Sequence, residues 1–386
     1  NTKSLEMKVI IGGAGITGLA VGCYLQQKGI DFHIFENRDQ APGKWISIDN
    51  QKSTGIQLAS NCHFVFRELG IYDQIKEASM ERKNLKVHSE RNYLNNLSIT
   101  NDHDEGTFFI RRGELISILN SLIPTQKISW STSIVQTVDE KSKVNLRTLK
   151  IKGNYQEVSS EHTADLFIDC TGANSRIAKN FNNTNSTAIW GISDHSDEMF
   201  KSFNNFMYTG MHFVTYPLTK NKTAFTLAMD NSRLSEQYLD RLHFLTFNQP
   251  ESKRLLNKLL KDEFKDLINS SRNYVIGEIG GSNFNKWGSG NIIFLGDSAH
   301  AITPHLAQGA AQGLIDAAYL NKGFSTNLDP EEFFAKRNSI INKIRSEAKL
   351  NKNRYQLGMP FKLLRNIYLK LYKPNYSWLF NSKYEA

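Results

Sequence analysis

Lys8-Val9-Ile10-Ile11-Gly12-Gly13-Ala14-Gly15-Ile16-Thr17-Gly18 reads as an apolar strand, a glycine-rich turn and the start of a helix that runs on through Leu19-Ala20-Val21-Gly22-Cys23-Tyr24-Leu25. A second apolar run, Asp31-Phe32-His33-Ile34-Phe35, ends at the acid Glu36. Gly-x-Gly-x-x-Gly between strand and helix, with an acid closing the next strand, is the dinucleotide-binding fingerprint in the context that gives it meaning. Gly13 makes the turn, Gly15 admits a pyrophosphate to the helix N-terminus, and Gly18 lets helix and strand pack closely. Glu36 accepts hydrogen bonds from a ribose diol. Ala14, Ile16 and Thr17 between the glycines, and Asn37 and Arg38 after the acid, complete this candidate contact set. Arg38 reads either as an adenylate contact or as a solvated surface arginine.

The fingerprint alone does not separate NAD from FAD. Far downstream, Ile292-Ile293-Phe294-Leu295 reads as a buried parallel strand, Gly296-Asp297 as the turn at its carboxyl end, and Gln308-Gly309-Ala310-Ala311 as the start of a helix. A strand, a turn and a helix N-terminus suit an electron-rich group over exposed N–H groups, with an acid to hold a hydroxyl. Between these two stretches, Ala164 to Cys170 reads as another parallel strand, and Ile128 to Val158 as β-hairpins.

Taken together, the fingerprint, Arg112-x-x-Leu115 and the run from Gly296-Asp297 through Pro304 to Gly309 resemble the flavin-contact blocks of the group A FAD-dependent aromatic hydroxylases, the p-hydroxybenzoate hydroxylase fold. The resemblance implies noncovalent FAD, with Asp297 on the ribityl chain and Pro304, Ala307, Gln308, Gly309 and Ala310 along the isoalloxazine. It also implies that Arg112 contacts the flavin nucleotide; a local cap or ion pair is the alternative. Gly55-Ile56-Gln57-Leu58-Ala59-Ser60-Asn61 is similar to the salicylate and 3-hydroxybenzoate hydroxylase branch, although the approach Gly43-Lys44-Trp45-Ile46-Ser47 reads longer than that branch leads one to expect. Thr171 stands where the family carries Asp, in a segment tied to FAD and the nicotinamide donor. Threonine offers a hydrogen bond but no charge, so NAD(P)H docking is the role this departure touches.

In Gly210-Met211-His212-Phe213-Val214-Thr215-Tyr216-Pro217-Leu218, alternation puts His212, Val214 and Tyr216 on one strand face, and Pro217 is expected to end the strand. A lone histidine on a strand is usually structural. His and Tyr four apart before Pro resemble the pair that handles the substrate hydroxyl in the 3-hydroxybenzoate 6-hydroxylase and 6-hydroxynicotinate 3-monooxygenase branch, which also carries Ala-Gln-Gly-Ala as at Ala307 to Ala310. His212 is then the expected base, with Tyr216 its partner or an orienting donor. His305 is near the flavin by the same match, or exposed.

With 386 residues, 40% hydrophobic and 22% charged, the chain supports one large or two ordinary domains. No apolar run approaches a bilayer span and the first residues lack a secretory pattern, so the expected location is cytoplasmic. The cysteines Cys23, Cys62 and Cys170 show no metal-ligand spacing; no metal is expected, and they read as reduced core thiols. The net charge of +9 is spread along the chain without a nucleic-acid motif and suits the steering of anionic small molecules. Residues 76 to 97 are polar and poorly patterned, and Pro330 through Leu350 read as one charged amphipathic helix. The tail from Met359 to Tyr372 has apolar residues at helical spacing with Lys362, Arg365 and Lys370 interleaved, a pattern that lies on a membrane or packs on the flavin domain as in the relatives.

The expected fold is α/β: an FAD-binding, doubly wound, Rossmann-like domain (7–75, 98–182 and 277–386, with C-terminal helices) interrupted by a mainly antiparallel β-sheet substrate domain (76–97 and 183–276). The expected function is that of an FAD-dependent monooxygenase hydroxylating a small phenolic ring, carboxylated or not, with NADPH or NADH and dioxygen activated at flavin C4a. Alternatives are oxygenation of a larger natural product, an antibiotic or a prenylated phenol, or flavin binding without turnover. The expected assembly is a monomer or homodimer.

Overall fold

A computed structural model of the chain describes residues 7–38, 54–90, 92–140, 142–152, 156–233, 249–260, 262–283, 285–324 and 330–381. The Gly43 to Ser47 approach lies outside the described residues. A six-stranded sheet runs in the order Gly288–Ser289, Ile292–Phe294, Leu166–Asp169, Lys8–Gly12, Asp31–Phe35, Ile128–Ser129. All neighbours are parallel except the first pair. Both faces of such a sheet are covered, which is why its strands are short apolar runs without alternation. The helix Ile16–Lys28 packs on the helix Gly309–Gly323 and is buried from Ile16 through Leu25 apart from Thr17. It ends at Gly29 in the left-handed conformation. All three cysteines are buried thiols.

Two glycines of the first turn are obligatory. Gly13 has φ +93°, and a Cβ there would sit 2.6 Å from the Cys170 carbonyl oxygen. A Cβ on Gly18 would sit 2.0 Å from the Gly13 carbonyl oxygen. The strand and helix can be this close only because neither position carries a side chain.

A seven-stranded sheet stands over this domain in the order Ser271–Gly281, Asn182–Ser193, Lys222–Asp230, Met211–Thr219, Phe203–Tyr208, Asn84–Ser89, Asn92–Ser98. Only the pairing of Phe203–Tyr208 with Asn84–Ser89 is parallel. One face packs Phe206, Phe213, Phe225 and Leu227 with Leu256, Leu267 and Ile268 of short helices. The other packs Val214, Tyr216 and Ala224 with Phe109, Phe203, Tyr355 and Leu379. This second face, the one carrying His212, is the face that meets the rest of the molecule. The hairpins expected between Ile128 and Val158 form a separate three-stranded sheet, Thr132–Glu140, Lys143–Lys152 and Gln156–Ala164.

Three expectations change. The stretch 76 to 97, unpatterned in sequence, contains the strands Met80–Arg82 and Asn84–Ser89 and most of Asn92–Ser98, and Asn84–Ser89 pairs with a strand more than a hundred residues away, so no local signal exists for that pairing. Pro217 does not end its strand; the strand continues to Thr219, with a register shift between Pro217 and Thr219 that accommodates the missing N–H. The helix expected from Pro330 is two helices, Pro330–Phe333 and Ala335–Gln356, separated at Phe334, whose ring stacks on Trp287.

Candidate active site

The carboxyl ends of the parallel strands open on a cavity of about 600 Å³. Its wall includes Gly13, Gly15, Ile16, Thr17, Glu36, Asn37 and Arg38 from the first βαβ unit, Arg112 from the head of the helix Arg112–Ser121, and Asp297, Gly309 and Ala310 from the distal motif. The two fingerprint segments, far apart in sequence, thus face one space. Asn174 and Arg176, from the segment after Thr171 that the resemblance ties to FAD, also line it, as do Thr132 and Ser133, which sequence reasoning did not single out. Thr132 and Ser133 begin a hairpin strand, and nothing in their local pattern points to a ligand.

The lining fits FAD. Nothing lies within 4 Å of where a Cβ on Gly15 would be, so the turn is open toward the cavity at the N-terminus of the helix Ile16–Lys28, whose N-cap Gly15 makes no side-chain capping bond. Glu36 is buried and accepts from Ala14 N–H at 2.7 Å and from Arg38 at 2.8 Å. Burial works to raise its carboxyl, but the Arg38 bonds and charge overcome this and hold it below the usual range. Arg38 also donates to the Ala14 carbonyl at 3.0 Å, so it belongs to the turn and is not a free surface arginine. Arg112 and Asp297 are accessible in the cavity and make no side-chain hydrogen bond among the described residues. Although they face the cavity, the protein around them displaces most of their solvent, which pushes the Asp297 carboxyl up, with His300 and Arg112 opposing, and lowers Arg112. A cation and a carboxylate on one wall, both without partners, suit a ligand with both phosphate and hydroxyl groups.

Asp297 sits where it does because of a buried acid behind it. Asp316 accepts from Gly296 N–H at 3.0 Å, from His300 Nε2 at 2.5 Å and from Arg337 at 2.8 Å. Burial would raise Asp316; His300 and Arg337 outweigh it and hold it at about 2. Thr171 lines the cavity, and its hydroxyl donates to the buried Asp169 at 2.6 Å. Ser175 Oγ donates to the same carboxyl at 2.5 Å, and burial raises it. The acid of this segment is therefore two residues upstream of Thr171 and points into the protein.

A second cavity, about 90 Å³, lies under the seven-stranded sheet. Gln57, Thr107, Asn205, His212 and His305 are among its polar lining, with Phe203, Tyr355, Leu379 and Phe380 among its apolar walls. Pro304 and Ala307 border this second cavity, while Gly309 and Ala310 border the first. The segment is bent by the short helix Pro304–Leu306 and the left-handed Ala307 at φ +53°, and it forms a wall common to both spaces. The Gln308 side chain is turned inward, accepting from Asn61 at 2.9 Å and Gln312 at 3.0 Å.

The His212 ring lies 5.2 Å from that of His305 and 5.3 Å from that of Tyr355. Gln356 Nε2 approaches His212 Nδ1 at 3.3 Å and the Ala228 carbonyl at 3.5 Å. Tyr216 does not line the cavity. Four residues along a strand span about 13 Å, and the Tyr216 ring stacks on Phe109 while its hydroxyl bonds Thr226 and Gln57. Tyr216 and His212 share a face without touching; Tyr216 reaches the cavity through Gln57. His305 is buried, not exposed, and neither of its ring nitrogens has a hydrogen-bond partner among the described residues.

Burial lowers His305 to about 4 and His212 well below its usual value, so both imidazoles are neutral. Between pH 6.5 and 4 the unfolded chain binds more protons at His305 than the folded one, so stability is intact above 6.5 and is lost as pH falls toward 4. A shift of this size amounts to about 3 kcal/mol at pH 4. The melting temperature should fall across that window, and His305→Gln should flatten part of the fall; an identical pH slope in the variant would show that His305 is not buried neutral.

Residues 6–331 match the profile of the family described as FAD binding domain. The chain is 22% identical to the 3-hydroxybenzoate 6-hydroxylase of Klebsiella oxytoca over 83% of this chain and 80% of that protein. It is 22% identical to the FAD-dependent monooxygenase dpfgE of Gibberella zeae over 81% of this chain and 71% of that one. Its fold superposes on Klebsiella pneumoniae HpxO complexed with FAD and uric acid with a TM-score of 0.78 at 18% identity, covering 97% and 95% of the two chains.

Proposed function

We propose, from the premise that the chain belongs to the FAD binding domain family, that it is an FAD-dependent monooxygenase which uses NAD(P)H and dioxygen to hydroxylate a small aromatic ring. The observation that carries this reading is the wall from Pro304 to Ala310, with a cofactor-sized cavity on one side and a small cavity holding two neutral histidines on the other. When bound, FAD supplies the redox chemistry that protein side chains lack. Residues 7–75, 98–182 and 277–386 hold it in this reading, and 76–97 and 183–276 roof the substrate.

The chain's own residues bind, orient and handle one proton. In the first cavity, Gly15 and the helix amides take the pyrophosphate, Glu36 the adenosine ribose, Arg112 the nucleotide and Asp297 the ribityl hydroxyls. In the second, the apolar walls exclude water and fix the ring plane. The Ala228 carbonyl beside Gln356 favours an amide nitrogen there, so Gln356 donates to His212 Nδ1 and leaves Nε2–H as a donor. His305, with free ring nitrogens, then accepts the phenolic proton, a role the sequence had suggested for His212.

Among the described residues lining the second cavity none carries a formal charge. A carboxylate there would be desolvated with no cation in the wall, the nearby Lys352 being paired with Asp230, which costs several kcal/mol, so the favoured substrate is a neutral hydroxylated ring. The test is NAD(P)H consumption and product formation by the FAD-loaded protein with a neutral phenol or hydroxypyridine beside a hydroxybenzoate. Stimulation with hydroxylated product is expected from the neutral rings. Protein that takes up no FAD, or turnover that no hydroxylated ring stimulates, would sink the reading; preference for the benzoate would overturn only the neutral-ring choice.

A further inference from the structure

The helix Phe361–Leu371 is mounted with its polar side inward. Arg365 is buried and donates to the carbonyls of Arg354 and Tyr355 and, at 3.0 Å, to Ser89 Oγ. Asn366 also bonds Ser89, at 2.9 Å, Lys362 pairs with Glu90, and Asn95 donates to the Leu369 carbonyl at 2.7 Å. These anchors fix the helix against the outer hairpin of the seven-stranded sheet. The opposite side presents Phe361, Leu364, Ile367, Tyr368 and Leu371, the last 83% exposed. Leu363 and Tyr372 widen this face, and Met359 extends it at the N-terminal end. A helix on a soluble surface normally does the reverse, and a contiguous apolar face of this kind marks a place where something docks.

The charge around the face identifies the occupant. From Ala348 to Tyr384 the sequence contains no Asp or Glu; of the basic residues in this stretch Arg365 is turned inward, Lys362 pairs with Glu90 and Lys352 with Asp230, and Lys349, Lys370 and Lys373 are the exposed lysines among the described residues. Lys370 and Lys373 are exposed beside the apolar row, and the adjacent hairpin adds the exposed Tyr93. Apolar side chains with aromatic and basic residues at their margin are the composition of a helix that lies in the plane of a bilayer surface. We propose that this face docks on the surface of an anionic lipid bilayer. At 11 residues the helix is about 16 Å long, which is interfacial dimensions and not a span; no helix among the described residues is long and apolar enough to cross a membrane. A second copy of the chain fits less well, because a two-fold contact would bring Lys370 and Lys373 of both copies together around one apolar seam.

The test uses the full-length, FAD-loaded protein and sedimentation with vesicles of phosphatidylcholine alone or mixed with phosphatidylglycerol. Binding is expected to the mixed vesicles, to weaken as salt is raised, and to be slight on phosphatidylcholine alone. Leu364→Glu combined with Ile367→Glu should lower the partition about a hundredfold, and Lys370→Glu combined with Lys373→Glu at least about tenfold. These side chains point outward, so FAD content and melting temperature should be unchanged, and the lysine variant tests the idea independently of the apolar one. Equal binding to both vesicle types, or none to either, overturns the proposal. So does sedimentation velocity showing a dimer that Leu364→Glu dissociates, which would assign the face to a second copy.

Discussion

Replacing either histidine of the second cavity by alanine is expected to leave the protein yellow and reducible by NAD(P)H, yet to slow hydroxylation about 10²–10⁴-fold and release hydrogen peroxide in place of product. Both rings line the small cavity, both are neutral, and they stand 5.2 Å apart. That spacing lets one phenolic oxygen meet a donor and an acceptor. The assignment of roles is separable by an amide, which donates well but is a poor base. His212→Gln should keep much of the coupling, because a side-chain N–H can replace Nε2–H, whereas His305→Gln should behave like His305→Ala. The readout is product formed per NAD(P)H consumed, beside the melting temperature. Normal coupling with a lowered melting temperature would make these core histidines and leave the reading resting on the flavin cavity alone.

Gly18→Ala is expected to give colourless protein, with FAD affinity reduced more than about a hundredfold. The added Cβ would stand 2.0 Å from the Gly13 carbonyl oxygen, which is backbone and has nowhere to go. Gly13 is itself held at φ +93° against the Cys170 carbonyl, so the strain passes through the turn to the neighbouring parallel strand. Overpacking of this kind costs roughly 1–3 kcal/mol or more and displaces the amides that receive the pyrophosphate. Gly15→Ala is the contrasting variant: its Cβ meets no protein atom within 4 Å, so thermal unfolding should be unchanged, while the methyl fills the space that receives the pyrophosphate and lowers FAD affinity directly. The measurement is FAD affinity by flavin fluorescence, with thermal unfolding alongside. Wild-type affinity in Gly18→Ala would mean that helix and strand are less tightly coupled than their separation indicates.

The amino-acid sequence by itself determined the parallel sheet, the two flavin-facing turns and the face on which His212 lies. Those features are written locally, in glycines where backbones touch, in apolar runs buried on both sides and in period-two alternation. It also carried Asp297, Glu36 and Arg112 into one candidate set, although these residues stand more than seventy positions apart: Glu36 through the fingerprint, Arg112 and Asp297 through the family resemblance of the segments that hold them. Only the tertiary structure decided what these residues do to one another. The separation of His212 from Tyr216 follows from strand length, and the neutrality of His212 and His305 from burial by Tyr355 and its neighbours, which arrive from the C-terminal helices. Gln356 and Asn205 carry no signal in their own surroundings; they matter through what the fold places beside them. The same holds for the helix Phe361–Leu371, whose amphipathic pattern is plain but whose orientation was set by Ser89, Glu90 and Asn95 of a distant hairpin. Periodicity shows that a helix has two faces; which one is buried depends on the partners that satisfy its polar side, and those partners are brought by long-range pairing that leaves no local trace.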